Sequence, residues 1–150
     1  IPAGVIQSQP AAVYDLFPTI LRLCGIERPP SHVGDGSRLD ALLTGQPDPA
    51  RQETFLMHYP HAPHRTDYFT CFRQGPWKVI YHYFPSPVSE DSHYQLFNLN
   101  TDPFEQRNLA QTRPDELRRL MQDLAASLER HQAVYPVDQD RNHPLKPQLP

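Results

Sequence analysis

The sequence predicts an α+β fold, in which an antiparallel sheet of about four strands packs against a long C-terminal amphipathic helix, with shorter helices before the sheet. Three observations lead to this prediction. Short β-branched and aromatic runs alternate with turn residues between positions 53 and 99. A single apolar stripe at helical spacing follows Pro114. An apolar stretch that carries Pro18 precedes the strands and has the length of one short helix.

Composition limits the classes of function. The chain has 150 residues, of which 38% are apolar and 21% charged, and these proportions are typical of a globular domain. The net charge is −3 and no block of basic residues occurs, so we expect no nucleic-acid partner. No apolar run approaches the length of a membrane span, so we expect no membrane partner either. The 18 prolines indicate many loops.

Two short helices are expected before the sheet. Proline is tolerated in the first turn of a helix but not in its middle, so we predict a turn over Val13–Phe17 and a helix over Pro18–Cys24. Gly25 would end that helix. A second helix is predicted to end at Gly45, from the leucines at positions 39, 42 and 43.

Four strands and one long helix follow. The predicted strands are Glu53–Tyr59, Tyr68–Arg73, Trp77–Tyr83 and Tyr94–Leu99. The long helix begins at Pro114 and should pack one apolar stripe on the sheet, made of Leu117, Leu120, Met121, Leu124 and Leu128. We expect residues 1–134 to form one subdomain. Residues 135–150 contain four prolines and no periodicity, which predicts a proline-rich tail that follows the surface or is disordered.

One loop motif, HYPHAPHR, places His58, His61 and His64 at three-residue intervals before Arg65. Proline favours extended backbone, in which such residues lie about 9 Å apart along one edge. Zinc ligands must converge to about 2.0–2.1 Å from the ion, so we predict no metal site here. Two alternatives stay open. The row binds anions and hydroxyls, for which arginine and imidazole are suited, or a strand simply ends in solvated side chains.

No catalytic residue is predicted within the chain. It has no G-x-S-x-G elbow, no phosphate-binding glycine loop and no H-E-x-x-H motif. Cys24 and Cys71 cannot form a thiolate metal site by themselves, and a disulfide between them is left open. Lys78 is interpreted as a structural strand residue, and Asp15 as support for the start of the first helix.

Four segments, in this order, resemble the C-terminal part of the sulfatase family. Tyr14–Gly25 is similar to its D-x-x-P-T-x-x-x-x-x-G helix, and Asp35–Gly45 to its G-x-S-L…L-L-x-G segment, with Arg38 as a departure before Leu39. Arg73–Tyr81 resembles its R-x-G-x-W-K-x-I strand pair. Tyr94–Ala110 resembles its E-L-Y-D-L-x-x-D-P-x-E-x-x-N-L-A stretch, where Asp102 and Asn108 would tie a turn and Leu109 would pack.

This resemblance implies a place in the alkaline phosphatase superfamily, with a large N-terminal α/β domain and a smaller C-terminal subdomain of four strands and a helix. The family hydrolyses sulfate esters with a formylglycine, made in a C/S-x-P-x-R motif, beside a calcium ion. Neither cysteine of this chain lies in such a motif. We therefore expect calcium and formylglycine in a missing N-terminal domain, which would be the chief partner of a fragment that begins at Ile1 and is inactive alone.

The resemblance also implies a substrate class. A sulfated carbohydrate is expected, and the loop after the first strand is where this subdomain would contact it, through His58, His61, His64 and Arg65. A phosphodiesterase or phosphonate hydrolase of the same superfamily, and a non-catalytic carbohydrate-binding module, are the alternatives. A severed subdomain should expose an apolar surface and self-associate. The cellular location of the full-length protein stays open, and a periplasmic or secreted location is one interpretation.

Overall fold

In a computed structural model, the described residues are 1–61, 67–138, 140 and 142–150, without the side chain of Val88. The chain divides into two compact units, Ile1–Glu53 and Thr54–Pro150. Within the described residues, no helix combines the length and the apolar character needed to cross a bilayer.

The first unit contains a 3-10 turn at Val13–Asp15, helix α1 at Leu16–Leu23 and helix α2 at Asp40–Leu43. The turn and both helices are predicted correctly, although α1 begins at Leu16 and not at Pro18. Pro18 is the third residue of α1, among the first four N–H groups that have no partner within a helix. A proline there therefore removes no helical hydrogen bond.

Helix α1 buries polar groups and exposes apolar ones. Asp15, just before the helix, and Thr19 within it are each only 2% exposed. The rest of α1 and the turn before it carry five large apolar side chains that are 47–81% exposed, namely Val13 in the turn and Leu16, Phe17, Ile20 and Leu23 in the helix. We call these five residues the α1 apolar face. An ordinary surface helix has the opposite arrangement, so this face has the character of an interface.

Asp15 is the centre of a buried polar network in the first unit. Its Oδ2 accepts the N–H of Ala12 at 2.8 Å, and its Oδ1 accepts the N–H of Ser37 at 2.8 Å. The Arg51 guanidinium forms an ion pair with the same carboxylate, and both side chains are almost fully buried. The network joins the start of α1 to two distant segments. Asp15 is the N-cap residue of α1, but its carboxylate makes no capping hydrogen bond to the helix and instead binds Ala12, Ser37 and Arg51, so the predicted capping role is wrong.

Thr19 extends this network toward α2. Its hydroxyl donates to the carbonyl of Asp15 at 2.6 Å and accepts the N–H of Leu39 at 3.0 Å. Gly36 lies in the same crossing, where a Cβ would come within 2.1 Å of the carbonyl oxygen of Tyr14. Only glycine therefore permits the two segments to approach this closely.

The second unit is a four-stranded antiparallel sheet with the order β1-β2-β3-β4. The strands are β1 at Thr54–Tyr59, β2 at Phe69–Gln74, β3 at Trp77–His82 and β4 at Tyr94–Asn98. Helix α3 spans Pro114–Arg130. All four strands and the helix lie where the sequence predicts them, with ends that differ by one or two residues. The α+β prediction is confirmed.

The core of the second unit lies between the sheet and α3. The predicted stripe of the helix is at most 4% exposed and packs against the strands. The sheet side of the core comprises Phe72, Val79, Tyr81, Tyr83 and Leu96. Burying this many large apolar side chains is the main favourable term in the folding of the unit.

The segment after α3 lies against the same unit. Leu145 packs on the core, and its N–H donates to the carbonyl of Pro136 at 2.8 Å. The Tyr94 hydroxyl donates to the carbonyl of Gln148 at 3.1 Å. The described part of the tail therefore follows the surface, while the predicted division into residues 1–134 and 135–150 stays a prediction.

Candidate functional site

The histidine motif begins inside β1 and continues beyond its end. His58 lies in β1 opposite Thr70 of β2, and His61 is exposed two residues after the strand ends. His64 and Arg65 lie outside the described residues. The structure thus describes two of the four predicted recognition residues, and it gives them different surroundings.

Both ring nitrogens of His58 are hydrogen-bonded. Nε2 lies 2.8 Å from the carbonyl oxygen of Val134, and Nδ1 lies 2.7 Å from the Thr70 hydroxyl. That hydroxyl lies 2.9 Å from the hydroxyl of Tyr83. A carbonyl only accepts hydrogen bonds, so Nε2 carries the proton and Nδ1 of the neutral ring is an acceptor. Thr70 therefore donates to His58, and Tyr83 donates to Thr70.

This chain of donors depends on a neutral imidazole. Protonation at Nδ1 would require Thr70 to accept from His58, and the Thr70 hydroxyl, which could still accept from Tyr83, would lose the acceptor of its own proton. Burial lowers the pKa of His58 below its usual value, and the charge of His61 acts in the same direction. Burial also raises the pKa of Tyr83, which keeps its proton. The four groups therefore hold the segment after α3 against β1.

His61 has the exposure that a ligand contact needs. Its ring meets the ring of Tyr59 edge to face, with centroids 5.9 Å apart. Tyr59 in turn stacks on Phe69 of β2 at 5.9 Å. The last residues of β1 thus give the base of the loop a rigid aromatic support, from which His61 reaches the surface.

A cavity of about 700 Å³ in the second unit borders Pro60, the residue after β1. One side is formed by Pro60, Tyr68 and Phe84, and the other by residues of the segment after α3, namely Tyr135, Pro136, Val137, Asp138 and Asp140. Its aromatic and acidic residues are absent from the predicted site. They come from three separate stretches of sequence without a shared motif, so only the folded chain brings them together.

Neither cysteine is a candidate nucleophile. Both thiols are free, with Cys24 exposed and Cys71 buried, so no disulfide joins them. Burial raises the pKa of the Cys71 thiol to about 11, which keeps it protonated near neutral pH. Across the described positions, no group of three or more His, Cys, Asp or Glu residues could hold a metal ion. The described residues therefore provide no such group of ligands for a calcium ion.

The segment Asp102–Ala110 has a structural role. The Asn108 Oδ1 accepts the N–H groups of Leu96 and Ala110, each at 3.0 Å, and its Nδ2 donates to the carbonyl of Tyr94 at 3.3 Å. Asp102 Oδ2 accepts the N–H of Arg107 at 2.8 Å. Asp102 and Asn108 tie the turn, and Leu109 packs on the core, as predicted.

Lys78 is part of the same structural region. Its Nζ lies 2.6 Å from both carboxylate oxygens of Glu105, and both side chains are half-buried. The structural interpretation of Lys78 is confirmed. The sequence shows no signal that names Glu105 as the partner, because the ion pair joins β3 to a loop 27 residues later.

Comparison with known proteins identifies the family. Residues 2–134 match the model of the family described as N-sulphoglucosamine sulphohydrolase, C-terminal. The chain belongs to this family. The sulfatase resemblance of the four sequence segments is thereby confirmed over nearly the whole chain, and the segment after Val134 lies beyond the match.

Two curated sulfatases align with this chain over most of its length. Mouse steryl-sulfatase is 29% identical over 154 aligned residues, which cover 87% of the chain and 24% of the relative. Human arylsulfatase D is 30% identical over 161 aligned residues, which cover 93% of the chain and 27% of the relative. The chain thus spans about a quarter of the length of the curated sulfatases that it matches.

Solved structures share the fold of this sulfatase C-terminal domain. BT1596, a 2-O GAG sulfatase, matches with a TM-score of 0.61 at 20% identity, over 89% of the chain and 27% of that structure. BT4656, solved with its substrate D-glucosamine-2-N,6-O-disulfate, matches with a TM-score of 0.58 at 21% identity, over 79% of the chain and 24% of that structure. At these identities the likeness concerns the fold.

Proposed function

We propose that the chain is the C-terminal part of a longer sulfuric ester hydrolase that acts on a sulfated carbohydrate. The observation that carries this proposal is the match of residues 2–134 to the sulphohydrolase C-terminal family. The lengths of the curated sulfatases support a longer protein, since the chain aligns with about a quarter of each, and the sulfated sugar bound in the BT4656 structure suggests the substrate class. The nucleophile, as formylglycine, and a calcium ion would belong to the N-terminal domain of that longer protein.

The α1 apolar face would pack against that N-terminal domain. It presents five exposed large apolar side chains on α1 and the turn before it, beside residues that are already held by the Asp15 network. Covering such a face removes apolar area from water and is favourable at about 25 cal/mol per Å². A domain of the same chain is the simplest occupant, because it is always present at high effective concentration.

The histidine motif, from His58 in β1 to Arg65, would recognise the non-sulfate part of the substrate. His61 is exposed and would contact it directly, and His64 and Arg65 would extend the contact. His58 would act by holding the segment after α3, since both of its ring nitrogens already have partners. Arginine and imidazole donors suit the hydroxyl, carboxylate and sulfate groups of such glycans.

The activity is tested with the full-length protein. We expect release of inorganic sulfate from one or more members of a panel of sulfated mono- and oligosaccharides, and no release of phosphate from matched phosphate mono- and diesters. Replacing the Cys or Ser of the C/S-x-P-x-R motif in the N-terminal domain should abolish turnover. Phosphate release without sulfate release would replace this proposal with the phosphoryl-transfer alternative.

The recognition loop is tested separately on the carbohydrate that is turned over best. His61→Ala and Arg65→Ala should each lower kcat/KM, mainly through KM, because they remove contacts to a part of the substrate remote from the reacting bond. His131→Ala, at an exposed histidine after α3, is the matched control. If kcat/KM is the same for wild type and both loop variants, the loop does not recognise substrate.

A further inference from the structure

The cavity that borders Pro60 has the size and composition of a small-molecule site. Its volume, about 700 Å³, falls within the range of about 300–1,000 Å³ that ligand sites usually occupy. Such sites combine apolar and aromatic walls with a few polar groups that set orientation. Here the aromatic walls are Tyr68, Phe84 and Tyr135, and the charged groups among the described lining residues are Asp138 and Asp140.

Each aromatic residue of the cavity wall packs against another ring. Tyr68 and Phe84 meet edge to face with ring centroids 5.2 Å apart, and Phe84 keeps 43% of its surface exposed. The Tyr135 ring packs edge to face on the His58 ring, with centroids 5.8 Å apart. The preceding residue, Val134, accepts a hydrogen bond from His58 through its carbonyl oxygen. Rings that are positioned before a ligand arrives lose little conformational entropy on binding. They offer flat apolar surfaces of the kind on which the C–H face of a pyranose ring packs.

The two carboxylates restrict the chemistry of the ligand. Asp138 Oδ1 accepts the N–H of Asp140 at 3.1 Å, so one aspartate orients the backbone of the other. The Asp138 Oδ2 and the Asp140 carboxylate accept no hydrogen bond from the described residues and can accept from a ligand. Two carboxylates repel a sulfate group and attract hydroxyl and ammonium donors. The described lining residues therefore favour a sugar ring without sulfate.

We propose that this cavity binds an unsulfated hexopyranose or amino-sugar unit of the glycan that carries the sulfate ester. The inference rests on the proposed function for its link to catalysis, and it adds a second recognition element to the histidine loop. Stacking on Phe84 and Tyr135 would hold the ring, and the two aspartates would read its hydroxyl or amino groups. The protein would then distinguish oligosaccharides from monosaccharides that carry the same sulfate.

The test compares two substrates of the full-length protein, a sulfated monosaccharide and a tetrasaccharide that carries the same sulfated sugar at its end. Phe84→Ala should lower the ratio of kcat/KM on the tetrasaccharide to that on the monosaccharide by about tenfold. Asp140→Asn should lower it by about fivefold, the value of one ordinary hydrogen bond. Phe104→Ala and Asp115→Asn change exposed residues of the same types outside the cavity and should leave the ratio as in wild type.

Direct binding separates this inference from the proposed function. Titration calorimetry with the corresponding unsulfated tetrasaccharide should show binding to wild type that weakens in both cavity variants but not in the two controls. If no sulfate ester is hydrolysed but this binding pattern is found, the proposed function fails and the cavity assignment stands. If sulfate esters are hydrolysed but neither the ratio nor the binding responds to Phe84→Ala or Asp140→Asn, the cavity assignment is wrong. Thermal unfolding of each variant shows whether it is folded.

Discussion

The side chain of Asn108 binds the backbone of Leu96 as a neighbouring strand would. Its Oδ1 accepts the Leu96 N–H at 3.0 Å, and the following residue, Leu109, donates its own N–H to the Leu96 carbonyl at 2.8 Å. Leu96 is fully buried in β4. The segment resembling D-P-x-E-x-x-N-L-A therefore satisfies the hydrogen bonds of an edge strand and shields that edge from other chains.

Replacing Asn108 should destabilise the second unit. Asn108→Leu leaves the N–H groups of Leu96 and Ala110 unpaired, at a cost of about 1–3 kcal/mol each. Asn108→Asp keeps an acceptor for both but puts a second carboxylate where the Asn108 Nδ2 donates to Glu90 Oε2 at 2.9 Å; because that contact is exposed, the loss should still be smaller than for Asn108→Leu. Urea unfolding followed by the fluorescence of Trp77, which lies in β3, measures the change. Asn100→Ala, in an exposed turn, is the control and should change the free energy of unfolding by less than about 0.5 kcal/mol. Equal losses for Asn108→Leu and Asn108→Asp would contradict this account.

Breaking the ion pair between Asp15 and Arg51 should unfold the first unit locally. Asp15→Ala leaves a buried guanidinium without its counter-charge, which costs about 3–5 kcal/mol. The chain has one tryptophan, Trp77 in the second unit, so hydrogen exchange is the better measurement here. The amides of Ala12 and Ser37, which donate to Asp15, should lose their protection.

Asp40→Ala is the matched control, since its ion pair with Arg38 is exposed and such pairs contribute at most about 1 kcal/mol.

The same network predicts a pH effect. Burial opposes the ionisation of Asp15, but the N–H groups of Ala12 and Ser37 and the charge of Arg51 together lower its pKa. The stabilisation is present above the usual pKa of 3.8 and is lost as pH falls through the lower folded value. Unchanged protection of Ala12 and Ser37 in Asp15→Ala would refute the role of the network.

His58 should make the second unit less stable in mild acid. Its pKa is lowered in the folded chain, mainly by burial, so the unfolded chain binds more protons below pH 6.5. The stabilisation is therefore complete above pH 6.5 and decreases as pH falls from 6.5 toward the folded pKa. Urea unfolding between pH 7.5 and 5 should show this slope in wild type and a weaker one in His58→Gln. A proton NMR titration that placed the His58 pKa above 6.5 would exclude this explanation.

The α1 apolar face should make the 150-residue chain associate when it is produced alone. Large apolar side chains that a catalytic domain would cover are free to pair with a second copy. Sedimentation velocity should show oligomers that decrease with dilution, and Ile20→Glu should shift the distribution toward monomer. Val33→Glu changes a residue that is 91% exposed outside the helix and should have no such effect. A wild-type chain that sediments as a monomer and binds no apolar dye would disprove the prediction.

The sequence predicted the fold well because the relevant signals are local. The stripe from Leu117 to Leu128 repeats at helical spacing, and the strands are bounded by turn residues such as Gly75, so each element can be recognised within one short window. The first residue of α1 was harder to predict from the sequence. Pro18 permits any of the first helical positions, and the Asp15 network that selects one of them involves Arg51, which lies 36 residues away.

The candidate site was less predictable than the fold. The motif from His58 to Arg65 shows which side chains are close in sequence, but not which of them already have hydrogen-bond partners in the fold. His58 is bound to Thr70 and Val134, and neither partner is within ten residues of it. The aromatic and acidic walls of the cavity have no common periodicity, because they are placed by the sheet and by the course of the chain after α3.

The cavity has one wall inside the region that matches the family and one wall outside it. Pro60, Tyr68 and Phe84 belong to the matched residues 2–134, whereas Tyr135 to Asp140 follow them. The outer wall contributes no strand to the sheet and no residue to the α3 stripe. Substitutions in the outer wall would therefore change what the cavity accepts without replacing any residue of the sheet or of the α3 stripe.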